Sequence, residues 1–289
     1  MSISYSHTVP RINATQRIQE YGVGIFDLIP TKSALKKALK KGLIEVNGKI
    51  ATTATLIQGG EIIVFTPEKV ELPNRTFKLD LKVLFEDDYL AIIEKPAGVL
   101  VSGNSFKTIA NALPQNLKQS SLPDKVIPQP VHRLDYATTG ILMVGKTASS
   151  IRKLTKLFEN KEIEKCYYAV TIGKMKDHGI FDHDIDRKEA VTHYEKVATL
   201  ESPRFEQLNL VKLEPKTGRR HQLRIHLAAT GNSILGDRDY SPEHLLLKGK
   251  GMYLHAFSLD LIHPFSNQPL FVKASLPKRF TKLFPDFGE

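Results

Sequence analysis

A chain of 289 residues exceeds the usual single domain and falls short of three, so a small domain joined to a larger one is the starting expectation. With 41% hydrophobic and 25% charged residues it can bury a sizeable core, which excludes a collagenous or largely disordered polymer. Lysine and arginine number 41 against 31 acids, and the resulting +10 makes a polyanion the expected partner: RNA, DNA or an anionic membrane. The membrane is the weakest of these, because no apolar run is long enough to span a bilayer and no basic amphipathic segment carries large anchoring aromatics. The opening MSISYSHTVPRINATQ lacks a secretory profile, and Cys166 as sole cysteine forbids an internal disulfide or a zinc site built mainly on thiolates. A cytoplasmic protein in a reducing compartment is expected.

The first region runs over residues 1–65. Ser33 to Leu43 predicts a short helix in which Leu35, Ala38 and Leu39 share one face, Lys36, Lys37, Lys40 and Lys41 surround it, and Gly42 suits the left-handed position that ends it. Ile44 to Ile50 alternates apolar residues around Asn47-Gly48, a hairpin signal, and a strand from Glu61 to Phe65 follows Gly59-Gly60. A lysine-rich helix alone reads as a solvated face. Followed by "GLIEVNGKIATTATLIQGGEIIVF", however, it resembles the S4 RNA-binding domain, a small α/β module whose helix and hairpin would lie on the RNA backbone. The preceding "ATQRIQEYGVGIFDLIPT" fits that module's opening helix loosely. Residues 66–80, with two prolines and no apolar periodicity, read as a linker.

The second region, residues 81–289, opens with a hairpin in Leu81 to Val101 whose apolar runs flank Glu86-Asp87-Asp88 and which ends in a Lys95-Pro96-Ala97-Gly98 turn. Further strands are expected at Ile141–Val144, Lys165–Ile172, Val191–Leu200 and Gln207–Leu213. Helices are expected from a Ser149 or Ser150 cap to Phe158 and from Arg219 to Thr230, the latter stopped by Gly231. Strands outnumber helices without regular βαβ alternation. The fold class expected is therefore α+β, a mixed, largely antiparallel sheet with packed helices.

Between a Pro-rich stretch and an apolar strand lies His132-Arg133-Leu134-Asp135-Tyr136-Ala137-Thr138-Thr139-Gly140. An Asp before Thr-Thr-Gly can simply stabilise a turn. An Asp that reacts at neutral pH must instead stay ionised in a partly dry cleft, which a neighbouring guanidinium favours. "HRLDYATTGILMVGKT" resembles the signature of the RluA family of pseudouridine synthases. "EDDYLAIIEKPAGVLV", "KCYYAV", "LEPKTGRRHQLRIHLAATGNSILGDRDY" and "LHAFSLDLIHP" are similar to that family's other motifs, in order. Thr139 stands where the family commonly has Ser, and Ser102 where a His is common.

The resemblance implies an isomerase that detaches uracil from its ribose, turns it and rejoins it through C5, with no external cofactor and no metal, in structured ribosomal or transfer RNA. It implies that Asp135 acts at the ribose, as nucleophile at C1′ or base at C2′. Arg224 is the expected ion-pair partner, and Tyr167 would stack under the uracil and help remove the C5 proton. Arg219 and Arg220 would hold phosphates, His132 and Arg133 would assist flipping the base out, and Lys36, Lys37, Lys40 and Lys41 would contact the RNA backbone.

Gly140-Ile141-Leu142-Met143-Val144-Gly145-Lys146-Thr147 matches a P-loop pattern literally, making a nucleotidase the rival enzyme. Its bulky apolar middle reads as a strand, leaving Lys146 to line the RNA groove or cap a turn. His178, Asp182, His183, Asp184 and Asp186 have metal-ligand chemistry without ligand spacing, and His221 and His226 are a poor ligand pair. A non-enzymatic RNA-binding protein is the third reading.

Overall fold

The computed structural model describes residues 4–68, 77–247, 249 and 251–287. The described residues of 1–72, with Leu122–Val126, form one compact unit, and those of 73–121 and 127–289 form a second. Among them no helix is long and apolar enough to cross a membrane.

The first unit contains β1 (Tyr5–Thr8), β2 (Gln16–Arg17), α1 (Ile18–Tyr21), α2 (Lys32–Lys40), β3 (Ile44–Val46), β4 (Lys49–Ile50), β5 (Leu56–Ile57) and β6 (Ile62–Phe65). Its main sheet has the order β1-β6-β3-β4, and β2 pairs with β5. Thr31 caps α2 by accepting from the Ala34 N–H, and the helix stops three residues before the predicted Leu43 because the chain turns left-handed at Gly42 (φ +68°). Asn47 and Gly48 both take positive φ, 49° and 72°, as a two-residue hairpin of this hand requires. Leu35, Ala38 and Leu39 bury α2 against Ile18, Ile44 and Ile63. Lys36, Lys37, Lys40 and Lys41 are exposed. The loosely expected opening helix shrinks to the single turn α1, and β1 instead adds an antiparallel edge to β6.

The second unit contains β7 (Lys82–Glu86), β8 (Leu90–Lys95), α3 (Ile109–Asn116), β9 (Lys125–Pro130, of which Lys125 and Val126 fall to the first unit), β10 (Thr139–Thr147), α4 (Ala148–Glu159), β11 (Glu164–Ile172), β12 (His178–Phe181), β13 (Thr192–Ser202), β14 (Glu206–Pro215), α5 (Gln222–Ala229), β15 (Leu254–Ile262), β16 (Pro269–Lys273) and α6 (Lys278–Thr281). Its ten strands form one sheet, β12-β13-β14-β11-β15-β10-β8-β7, with β16 on β15 and β9 on β10. The β10–β15 pair is parallel. The sheet is thus mixed and largely antiparallel. Gly140 allows the β10–β15 approach: a Cβ there would lie 2.1 Å from the Ala256 carbonyl oxygen, and its φ is +110°.

The structure departs from several expectations. Of the expected linker, residues 69–76 lie outside the described residues, and the remainder is built into the units: the Thr66 N–H donates to Leu43, and Gln115 and Asn116 of α3 donate to the carbonyls of Phe77 and Leu79. The P-loop match is a strand, since residues from Gly140 to Gly145 pair in register with β8 from Lys95 to Leu90 and no loop remains to cradle a phosphate. Lys146 lines no groove: it is 2% exposed, its Nζ lies 2.7 Å from Glu86 Oε1 and donates to the Asp87 carbonyl, and so it closes the β7–β8 turn. The α4 cap is Thr147 rather than Ser149 or Ser150, with Ser150 completing a reciprocal capping box.

Candidate active site

Asp135 sits in the loop between β9 and β10. Its backbone carbonyl accepts from the Thr138 N–H at 3.1 Å, so the turn expected of an Asp before Thr-Thr-Gly does form. Lys95 fixes this turn from below. Fully buried at the end of β8, its Nζ donates to the carbonyls of Pro96 (2.8 Å), Tyr136 (3.2 Å) and Thr138 (2.8 Å), and the Gly98 N–H also donates to Tyr136. Burial pushes the Lys95 ammonium down to about 8 against the opposing pull of Asp135. On the far side Thr139 Oγ1 meets His255 Nδ1 at 2.8 Å. The loop is therefore pinned on both flanks, and the Asp135 carboxylate, 16% exposed, faces a cleft of about 590 Å³.

The same cleft is lined by His132, Arg133, Tyr167, Arg219, Arg220, His221 and Arg224, which brings together every residue predicted for the second region's site. Their arrangement differs from the prediction. Helix α5 begins at Gln222, three residues later than expected, because His221 takes a left-handed conformation (φ 55°) that no helix continues through. Arg219 and Arg220 thus belong to the preceding turn and share no helical face with Arg224. The Arg219 Nε donates to the Glu189 carbonyl.

Arg224 approaches Asp135 at 3.7 Å from Nη1 to Oδ2, but its hydrogen bonds go elsewhere. Nε and Nη2 grip Asp237 bidentately at 2.7 Å each, and Nη2 reaches Asp239 at 2.6 Å. Burial alone would lower its pKa, but the bonds to Asp237 and Asp239 outweigh this and raise it, so the guanidinium stays charged. His221 Nε2 also lies 3.7 Å from Asp135, and its Nδ1 meets the Tyr240 hydroxyl at 2.9 Å. With the proton on Nε2, the tyrosine donates to Nδ1 and the N–H points towards Asp135. Burial lowers the His221 pKa, opposed by Asp135 and aided by Arg224 and Arg220. Tyr240 also lies under the Arg224 guanidinium, 4.8 Å from its ring centre.

Tyr167 projects into the cleft from β11, next to a bulge at Cys166/Tyr167 that re-aims the strand. Its pKa is raised by burial first and by Asp135 and Cys166 after it, so the ring carries a neutral phenol. His132 is tied to the wall: its Nε2 accepts from the Met143 N–H at 2.9 Å and its ring stacks on Phe158 at 4.5 Å. Burial, then Lys165, pushes it down to about 3, so at neutral pH it brings no positive charge to the cleft. Lys95, Asp237, Asp239, Tyr240 and His255 were not singled out as site residues from the sequence, and His221 was weighed only as a metal ligand. The one available signal for two of them was the pair of acids in Gly236-Asp237-Arg238-Asp239-Tyr240. Among the described residues no group of three or more His, Cys, Asp or Glu could hold a metal ion. His183 meets His226 Nε2 through its backbone oxygen rather than its ring nitrogens.

Residues 89–229 match the family model described as RNA pseudouridylate synthase. The chain is 33% identical to the ribosomal large subunit pseudouridine synthase D of Nitrosomonas europaea, over 93% of this chain and 84% of that one. It is 31% identical to the tRNA pseudouridine synthase C of Salmonella typhi, over 72% of this chain and 90% of that one. The solved structure of human RNA pseudouridylate synthase domain containing 4 matches with a TM-score of 0.58 at 26% identity, covering 71% of this chain and 92% of that one. A pinned aspartate in a basic cleft, on a sheet of this topology and with relatives of this kind, makes the chain a member of the RluA family of RNA pseudouridine synthases, isomerases that convert uridine in RNA to pseudouridine.

Proposed function

We propose that the chain isomerises a uridine of large-subunit ribosomal RNA, flipped into the cleft above Asp135. The observation that carries this reading is the placement of one carboxylate 3.7 Å from both Arg224 and His221 in a cleft shared with Tyr167. Asp135 acts at the ribose, at C1′ as nucleophile or at C2′ as base. The C1′–N1 bond breaks, uracil turns against the Tyr167 ring, C5 bonds to C1′, N1 gains a proton and C5 loses one. No external oxidant, cofactor or metal enters this balance. As a neutral phenol, Tyr167 supplies a stacking surface, and it can take the C5 proton only by first passing its own to a neighbouring base. Arg133, Arg219 and Arg220 at the mouth favour phosphates.

The match to the ribosomal RNA enzyme is fuller than that to the transfer RNA enzyme, 93% against 72% of this chain, which supports the ribosomal substrate. The first unit, with exposed Lys36, Lys37 and Lys40 on α2, acts in this reading as an S4-like RNA-binding module spanning residues 1–65. Lys41 contributes less, because it pairs with Glu68. A cytoplasmic location is the one that suits an RNA substrate and a chain with a single cysteine.

The test is release of tritium from RNA labelled at C5 of uridine. Wild type should release it and Asp135→Asn should not, while both bind the RNA. Release by Asp135→Asn would remove the aspartate from the chemistry, and silence of the wild type on both ribosomal and transfer RNA would leave an RNA-binding protein without turnover.

A further inference from the structure

A second cleft, of about 470 Å³, adjoins the first along a rim that both share, formed by Lys161, Lys165, Pro215 and Lys216. The charge on that rim is under-compensated. Lys161 has Glu189 at 3.5 Å, and Lys216 shares Glu214 with Lys212, at 3.9 Å and 2.7 Å. The ammonium of half-buried Lys165 has no ion pair or hydrogen bond to any described residue. Burial first, and the neighbouring cations Lys216 and Lys161 after it, depress its pKa. An anion over the rim would relieve all three.

Beyond the rim the cleft turns aromatic. Tyr168 and Phe257 meet edge to face at 5.0 Å on its floor, and Phe271 of β16 stands 60% exposed at its outer wall. Phe271, Asp260 and Glu164 occupy one cross-strand row, so two carboxylates stand beside the exposed ring and disfavour a phosphate there. A phosphate site next to an exposed aromatic face is the pattern that holds unpaired nucleotides, whose bases stack while the backbone follows the cations.

We propose that this second cleft holds the nucleotide flanking the target uridine, with its phosphate on the rim of Lys161, Lys165 and Lys216 and its unpaired base against Phe271 and Tyr168. The inference rests on the functional reading above. It makes the enzyme a reader of the single-stranded neighbourhood of its uridine, since a base held in a duplex could not reach the aromatic wall.

The test uses the full-length protein and large-subunit ribosomal RNA labelled with tritium at C5 of uridine. Phe271 is exposed, so Phe271→Ala should melt as the wild type does, raise KM about tenfold and leave kcat within about twofold, because one base–aromatic stack is removed. Phe271→Trp, which keeps the aromatic face, should restore KM. Lys216→Ala should flatten the log–log dependence of affinity on salt by about 0.7, as expected for one single-strand phosphate. An unchanged KM or a fall in kcat alone in Phe271→Ala, or an unchanged salt slope in Lys216→Ala, overturns the proposal. A wild type without tritium release fails the functional reading instead, and is measured first.

Discussion

On α2 of the first unit Lys36, Lys37 and Lys40 stand exposed, without an acidic partner among the described residues. In the second unit Arg224 is 5% exposed, bonded to two carboxylates and 3.7 Å from a third. The same kind of charge serves different ends in these surroundings. In water a lysine is screened within about 10 Å at ordinary salt, so it can only attract a polyanion and is individually replaceable. Inside the cleft a guanidinium has shed its water and must be matched bond for bond, so it fixes the position of what surrounds it. On the proposed reading the α2 lysines attract RNA while Arg224 positions its neighbours, and substitutions can separate the two.

The largest effect should come from Arg224→Ala. It strips the charged partner from Asp237, whose side chain is 0% exposed, and such a loss costs about 3–5 kcal/mol. Turnover should fall at least about a hundredfold as the neighbour of Asp135 disappears. Arg224→Lys should recover only part, because a point charge cannot reproduce the bidentate grip on Asp237. Asp239→Asn, at a carboxylate 64% exposed, should cost little. Urea unfolding with tritium release in the same preparations checks all three, and a stable, fully active Arg224→Ala would dissolve the positioning role.

Next in size is Lys95→Met, which orphans the buried carbonyls that hold the Asp135 loop and should destabilise by on the order of 3 kcal/mol. A denaturation midpoint equal to wild type would show that the loop needs no tether.

A similar magnitude, visible only in acid, attaches to His255. Its imidazole titrates at 6.5 unperturbed, but burial first, and Arg279 second, push it down to about 4. Between those values the unfolded chain binds a proton that the native protein refuses. The penalty is therefore absent above pH 6.5 and lowers stability progressively as pH falls towards 4, by about 3 kcal/mol at its limit. His255→Asn should flatten the fall in urea midpoint between pH 7 and pH 5, and an unchanged slope would contradict the buried neutral imidazole.

The smallest effect on chemistry should come from the first unit. Replacing Lys36, Lys37 and Lys40 with alanine should leave turnover at saturating RNA unchanged while flattening the log–log salt dependence of binding by about 0.7–0.9 for each phosphate no longer neutralised. Identical slopes would mean that these lysines merely solvate the helix.

The sequence was legible where local rules decide the outcome. The α2 face, the Asn47-Gly48 hairpin and the cores of β8, β10, β11, β13 and β14 follow from periodicity and turn chemistry. Helix α3 was missed because Pro114, past the first turn where a proline is tolerated, interrupts its pattern, although the helix runs on to Asn116. Strand β9 was missed because Pro128 and Pro130 read as loop, although a proline sits in a strand where its nitrogen owes no bond to a neighbour. In the site, Asp135, Tyr167 and Arg224 lie in motifs that sequence can name, but the partners of a charge are chosen by tertiary structure. Asp237 and Asp239 flank Arg238 and look like a solvated acidic turn until the fold carries Arg224 between them. Lys95 looks like one more lysine before a Pro-Ala-Gly turn until three carbonyls close on it.

The most direct test maps pseudouridines in ribosomal and transfer RNA from cells lacking this protein and complemented with either wild type or Asp135→Asn. At least one pseudouridine in large-subunit ribosomal RNA should disappear with the protein, return with the wild type and stay absent with Asp135→Asn. A pseudouridine restored equally by Asp135→Asn, or an unaltered map in the cells lacking the protein, would contradict the proposed function.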